Sequence, residues 1–272
     1  MKNNLLPQRH RGAEFSLCLC VSMASLLVVV GCSTVPYTKR HSMMLVSEKE
    51  EKKMGEQAYA QVLKESKLNT DPEKLAMLRR VGERLAKAAD KPDFKWEFNL
   101  IEDDKTVNAW CLPGGKIAVY TGLLPTSQDE TGLAVVMGHE IAHALARHGS
   151  ERMSQQMVIQ TGGRILSIVT GAQSPLARDA FNKAYGVGTQ LGVALPHSRG
   201  NESEADHIGI ILMAKAGYDP RKAMDFWKRM EAAGGGKDDP MRKFTSTHPS
   251  DKDRQKQIEK DLPEALKFYK PI

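Results

Sequence analysis

The sequence predicts an α+β domain, mostly helical, with a small sheet and an edge hairpin. Three observations carry this: two helical stripes before residue 90, an alternating strand and hairpin between residues 95 and 121, and a capped amphipathic stretch directly after them that contains His139, Glu140 and His143. With 272 residues and 41% apolar content, the chain can bury a full core, and the expected organisation is one catalytic domain behind an N-terminal extension. The net charge of +6 is not gathered into a Lys/Arg stripe interleaved with aromatics, so nucleic acid is not an expected partner.

At the N-terminus, Lys2, Arg9 and Arg11 precede an uncharged apolar run from Phe15 to Val30. The run is shorter than the roughly 20 residues a membrane span needs and fits the core of an export signal. Val29, Val30, Gly31 and Cys32 resemble a bacterial lipobox. The expected organisation is therefore a lipoprotein signal at 1–31, a lipidated tether at 32–46 with lipid on Cys32, and a catalytic domain at 47–272. The expected location is exported and lipid-anchored: with Ser33 after the cysteine, the periplasmic face of the outer membrane in a Gram-negative cell, otherwise the outer face of the cytoplasmic membrane. Cys18 and Cys20 leave with such a signal, so Cys111 has no intramolecular partner and no disulfide framework is expected.

From Ser47 the pattern turns helical. Ser47 and Glu50 have capping-box spacing, and Met54, Ala58 and Val62 mark a stripe. Asp71 and Pro72 open a second helix, with Leu75, Leu78, Val81 and Leu85 as its buried stripe to about Ala89. Lys95 to Ile101 alternates as a strand, and Val107 to Leu112 and Lys116 to Thr121 flank Pro113, Gly114 and Gly115 as a hairpin. Ser127 is the expected cap of the next helix, Asp129 and Glu130 suit its positive end, Arg147 and His148 its negative end, and Gly149 its stop. Residues 150–196 read as mostly helical with breaks at Gly162, Gly163, Gly171 and Pro175, and contain no run of membrane-spanning length.

The chemistry starts from HExxH. On a helix, His139 and His143 stand one turn apart and can grip Zn²⁺, while Glu140 can accept a proton from water at the metal. A catalytic zinc needs a third protein ligand. The metzincin pattern is excluded, because Ala146 and Gly149 stand where it requires Gly and His; His148, one residue off, reads as a helix-end charge. The segment SRGNESEAD offers Glu202 and Glu204. Asn201 and Glu204 have capping-box spacing, which engages Glu204 and leaves Glu202 as the candidate ligand, against the bland reading of an acidic first-turn residue. Asp206, four residues after Glu202 and on the same face, can accept the second N–H of a ligating histidine.

HEIAH followed by ESEAD, with NAWCLPGGKIAVYTG upstream, resembles the HtpX and CAAX prenyl protease family of zinc metallopeptidases, and within it the exported branch with BepA-like and Oma-like members. The resemblance runs from about Val35 to Asp251. It implies a zincin-like fold of gluzincin type, one zinc per chain held by His139, His143 and Glu202, Glu140 as base and Asp206 as support. It also implies that the first hairpin strand, Asn108, Ala109, Trp110, Cys111 and Leu112, is an edge on which an extended substrate adds as another strand. Alternation lets only one face of that strand meet substrate, and Cys111 reads as a packing residue. In the loop from Gly234 to Pro249, THPS resembles the family segment whose histidine approaches the metal, making His248 a blocking fourth ligand, a transition-state donor, or a structural turn residue. His197 and Arg199 border the cleft without an assigned role, and His41 and His207 read as surface or packing residues.

The expected function is a zinc metalloendopeptidase acting on misfolded or unassembled cell-envelope proteins, with membrane contact through the N-terminal lipid. The competing reading is a chaperone-like binding lipoprotein with a latent or structural zinc site. Glu140 separates them, since a structural site does not need it and is usually closed by four protein ligands.

Overall fold

The computed structural model describes residues 32–160, 197–233, 241–248 and 253–272. The expected signal at 1–31, the stretch 161–196 and the glycine run 234–236 lie outside the described residues.

Two helices frame the sheet. α1 (Glu48–Glu65) starts at Ser47, whose Oγ accepts from the Glu50 N–H, and α2 (Pro72–Ala89) starts at Asp71, whose carboxylate accepts from the Glu73 and Lys74 N–H groups. In α2 the expected stripe is the buried one, with Leu78, Val81 and Leu85 fully enclosed. In α1 the buried stripe is Glu51, Gly55, Tyr59 and Val62, one residue displaced from the expected Met54 and Ala58. Polar partners explain the rotation: the Tyr59 hydroxyl donates to the Ile117 carbonyl (2.9 Å), and Glu51 accepts from Arg147 Nε (2.7 Å). A periodicity reading that counts only apolar residues does not see these.

The sheet has the order β3-β5-β4, with β3 (Glu97–Ile101) parallel to β5 (Lys116–Tyr120) and β4 (Ala109–Leu112) antiparallel to it. β4 is thus an edge strand. Gly114 (φ 88°) and Gly115 (φ 81°) occupy the left-handed region in the turn, a conformation that residues with a Cβ rarely adopt. Alternation splits β4 cleanly: Ala109 and Cys111 join the main core, while Leu112 and Trp110 join a second cluster, Trp110 edge-on to Tyr59 at 5.8 Å.

The sheet leads through a short helix α3 (Leu124–Ser127) into α4 (Glu130–Leu145), which carries HExxH. Ser127 is not its cap, because its Oγ donates back to the Leu123 carbonyl (3.1 Å) and ends α3; Asp129 is the cap, accepting from the Gly132 N–H (2.8 Å). The expected stop at Gly149 is also displaced. Arg147 takes the left-handed turn (φ 57°), tied to Glu51 and the Val46 carbonyl, and His148 and Gly149 begin the next helix, α5 (His148–Gln160). From Gly132 to Leu145 every residue of α4 is buried, so this is a central helix enclosed on all sides.

Its main partner is α6 (Arg199–Lys215), and two glycines set their distance. A Cβ on Gly138 would lie 3.1 Å from the Gly209 carbonyl oxygen, and one on Gly209 would lie 3.1 Å from the His139 amide nitrogen. The backbones therefore touch beside the first histidine, and one and two helix turns away Asp206 and Glu202 come into reach of it. We expect Gly209→Val to destabilise the fold by roughly 1–3 kcal/mol through overpacking. Because the strain falls on the His139 backbone, zinc affinity should drop with it; denaturant unfolding and metal titration check the two together.

Outside this pair, α7 (Lys222–Ala233) buries Phe226 and Trp227, a short α8 (Arg242–Thr247) leads to His248, and α9 (Arg254–Leu266) packs on α6. The expected tether is instead part of the fold. β1 (Cys32–Thr34) and β2 (His41–Met43) form an antiparallel hairpin in register Cys32 to Met43, and Val35, Met44 and Val46 are buried. Arg40 within it is bound to Glu151 (2.8 and 2.9 Å) and Glu204 (2.9 Å). No helix among the described residues is long and apolar enough to cross a membrane.

Candidate metal centre

One helical turn between His139 and His143 on α4 brings their Nε2 atoms to 3.0 Å. From the first turn of α6, Glu202 reaches both: Oε2 lies 3.4 Å from His139 Nε2 and Oε1 3.3 Å from His143 Nε2. His248, just past α8, completes the group, its Nδ1 3.1 Å from Glu202 Oε1 and 3.4 Å from His139 Nε2. All four residues are buried.

Donor atoms of four residues converge here from three segments. Tetrahedral zinc with bonds of about 2.05 Å has edges of roughly 3.3 Å, so separations of 3.0–3.4 Å suit that ion. Glu140 stands beside the group. Its Oε1 is buried without a hydrogen-bond partner among the described residues, and His248 Nε2 lies 3.5 Å from it. A buried carboxylate oxygen left in that state fits a water or substrate group held by a metal.

Asp206 accepts from His139 Nδ1–H (2.9 Å), which fixes the tautomer with Nε2 free to ligate. Arg254, which the sequence reading did not single out, clamps Asp206 with two bonds, Nε to Oδ2 at 2.6 Å and Nη2 to Oδ1 at 2.8 Å. Its guanidinium lies 3.5 Å from the Trp227 ring centre, and Trp227 stands edge-on to His139 at 5.1 Å. No local pattern exposes Arg254, since 48 residues separate it from Asp206. The only clue is general: a charge this deep needs a partner.

His148 is not a helix-end charge. It is fully buried, its Nδ1 2.8 Å from His143 Nδ1 and its Nε2 2.8 Å from Glu204. Glu204 is engaged, as expected, but not by Asn201: Ser198 caps α6, accepting from the Asn201 N–H, and Glu204 accepts from His148, Arg40 and Thr38. His197 stacks on His143 with ring centres 3.9 Å apart, so it is inside the site and not at its rim. His207 pairs with Asp261 and Glu264 near the surface, and His41 is exposed.

The electrostatics follow from burial and pairing. Burial pulls His139 down, yet Asp206 and Glu202 outweigh it and raise its pKa to about 9. Burial pulls His143 well below the usual imidazole range and also lowers His148. Burial also raises Glu140, against the lowering pull of His248 and His139, which suits a group that must accept a proton near neutral pH. Glu202 stays well below the usual carboxylate range despite burial, because His248, His139 and His143 surround it. Burial, with Glu140 nearby, pushes the Cys111 thiol up, which makes it an inert packing group.

The family model described as Peptidase family M48 matches residues 72–262. The mitochondrial metalloendopeptidase OMA1 of Schizosaccharomyces pombe is 37% identical over 234 residues, covering 85% of this chain and 66% of its own length. The human metalloendopeptidase OMA1, mitochondrial, is 30% identical, covering 98% of this chain and 53% of its own length. The beta-barrel assembly-enhancing protease of Escherichia coli is 30% identical, covering 66% of this chain and 37% of its own length. The chain thus spans two thirds or less of each of these three relatives. The expected location is overturned: the yeast, plant and human relatives are mitochondrial by name, which points away from a Gram-negative lipoprotein. A short basic, apolar, acid-poor N-terminus belongs to more than one targeting route, and residues 1–31 lie outside the described structure.

Proposed function

The chain belongs to peptidase family M48, a family of zinc-dependent metalloendopeptidases, and from that premise we propose that it cuts internal bonds of partly unfolded or unassembled proteins at a zincin-like, gluzincin-type centre. One observation carries this reading. The donor atoms of His139, His143 and Glu202 meet at zinc-like separations with the unpartnered Glu140 carboxylate beside them.

His139, His143 and Glu202 would hold the zinc. Bound there, it would polarise the scissile carbonyl and acidify the attacking water. Glu140 takes the proton from that water and returns it to the leaving amine. Asp206 and Arg254 keep His139 in the ligating tautomer. β4 packs against α4, and an extended peptide adding at the edge that is free among the described residues gains backbone hydrogen bonds. Of the residues expected to line it, Ala109, Cys111 and Leu112 are buried, which leaves the half-buried Asn108 and Trp110 to offer side chains to substrate.

His248 Nδ1 occupies the fourth corner of the donor group, which supports a resting state closed until substrate displaces it. This also keeps the second reading, a latent binding module, in view, because four protein ligands make a closed site. The test uses the full chain: zinc per chain, then cleavage of an unfolded reporter with products read by mass spectrometry. One zinc per chain and internal cuts, lost on chelation and restored by zinc, are expected; stoichiometric zinc with no cleavage overturns the reading. In the same assay, His248→Ala should raise activity if the histidine blocks the metal and lower it if it assists the transition state.

A further inference from the structure

Each metal-facing histidine carries a proton on the ring nitrogen that points away from the donor group, and that proton must go somewhere. His139 gives its proton to Asp206. For His143, with Nε2 turned to the donor group, Nδ1 is the donor, and the atom it meets at 2.8 Å is Nδ1 of His148. His148 Nδ1 must then accept, which leaves the His148 proton on Nε2, 2.8 Å from Glu204 Oε2. Glu204 can only accept, and it also receives Arg40 Nε (2.9 Å) and the Thr38 hydroxyl. Every tautomer along this line is forced by the one before it.

We propose that His148, Glu204 and Arg40 are positioning residues that fix the tautomer and ring orientation of His143, making the hairpin of residues 32–46 a structural part of the metal centre. This rests on the reading of His143 as a zinc ligand. Arg40 also binds Glu151 through both terminal nitrogens, so it ties α5, which starts at His148, to α6, which carries Glu204. The turn that presents Arg40 is closed by the Val35 N–H donating to the Arg40 carbonyl (2.8 Å).

The rings of His143, His148 and His197 also stand close enough to suggest a second cation site. Two observations argue against it. The His143 and His148 Nδ1 atoms already bond each other, and Arg152 Nη1 lies 2.5 Å from His197 Nε2, placing a fixed positive charge on the third ring.

The test compares variants of the full chain by zinc affinity, measured by chelator competition, and by kcat and KM, with thermal unfolding as a control for folding. His148→Leu removes both hydrogen bonds and should weaken zinc binding by about 10- to 100-fold, with kcat falling while KM stays near wild type. His148→Gln keeps an acceptor for His143 and a donor for Glu204, and should recover most of the loss. Arg40→Met, acting through two intervening groups, should cost roughly 3- to 10-fold in zinc affinity. Should His148→Leu fail to fold, Arg40→Met decides alone, because Arg40 is partly exposed and distant from the metal. If wild type binds zinc and cleaves while His148→Leu or, failing that, Arg40→Met matches it within twofold, the proposal is wrong. Equal impairment of the Leu and Gln variants would also overturn it. A wild-type chain that binds no zinc would instead sink the metal reading, and this inference with it.

Discussion

Glu140→Gln should leave zinc binding and stability near wild type and lower kcat/KM by about 10²- to 10⁴-fold. The substitution keeps side-chain size in a site where Glu140 is only 4% exposed, and it removes the single property the reaction needs, a lone pair basic enough to take a proton. Zinc should stay because Glu140 is outside the converging set of His139, His143, Glu202 and His248. Metal content, thermal unfolding and peptide cleavage on one preparation check the three parts. Retention of more than a tenth of the wild-type activity would place the base elsewhere. His248, with Nε2 3.5 Å from Glu140, is then the group to vary next.

What could be read in advance divides along the range of the interactions. The Ser47 and Asp71 caps, the β4–β5 turn glycines and the α2 stripe are local signals, and each lies where the sequence placed it. The approach of Glu202 and Asp206 to the HExxH histidines was legible because a catalytic zinc calls for a third ligand and four-residue spacing puts both on one face of α6. The rest depends on long-range partners. The hairpin of residues 32–46 has three-residue strands and no period, and its Arg40 is anchored to residues 111 and 164 positions away. Gly138 and Gly209 look like mild helix penalties in sequence, and their purpose appears only when two backbones meet. Ser127 lost the cap to Asp129 because an extra short helix intervenes, a shift of two residues that local propensity does not resolve.

Arg254→Met should destabilise the zinc-free protein by about 3–5 kcal/mol, because it strips a buried carboxylate of its partner. Two effects on zinc then oppose each other. Losing the clamp loosens Asp206 and so His139, which weakens binding; losing a fixed positive charge next to Glu202 and Asp206 leaves an excess of negative charge, which strengthens it. The second should win. The Asp206 bond to His139 Nδ1 does not pass through Arg254, and with zinc the three carboxylates Glu140, Glu202 and Asp206 face one divalent cation instead of that cation plus a guanidinium. Zinc should therefore raise the melting temperature of Arg254→Met by more than it raises that of wild type. Asp206→Asn predicts the opposite sign: it removes one negative charge while Arg254 keeps its own beside Glu202, so zinc should rescue it less. Protons report on the same balance. His139, at about 9 without metal, must lose its proton to ligate, so zinc affinity should rise with pH up to about 9 and level off above it. If both variants lose zinc affinity equally, charge balance is not what Arg254 contributes, and its role reduces to holding Asp206 in place.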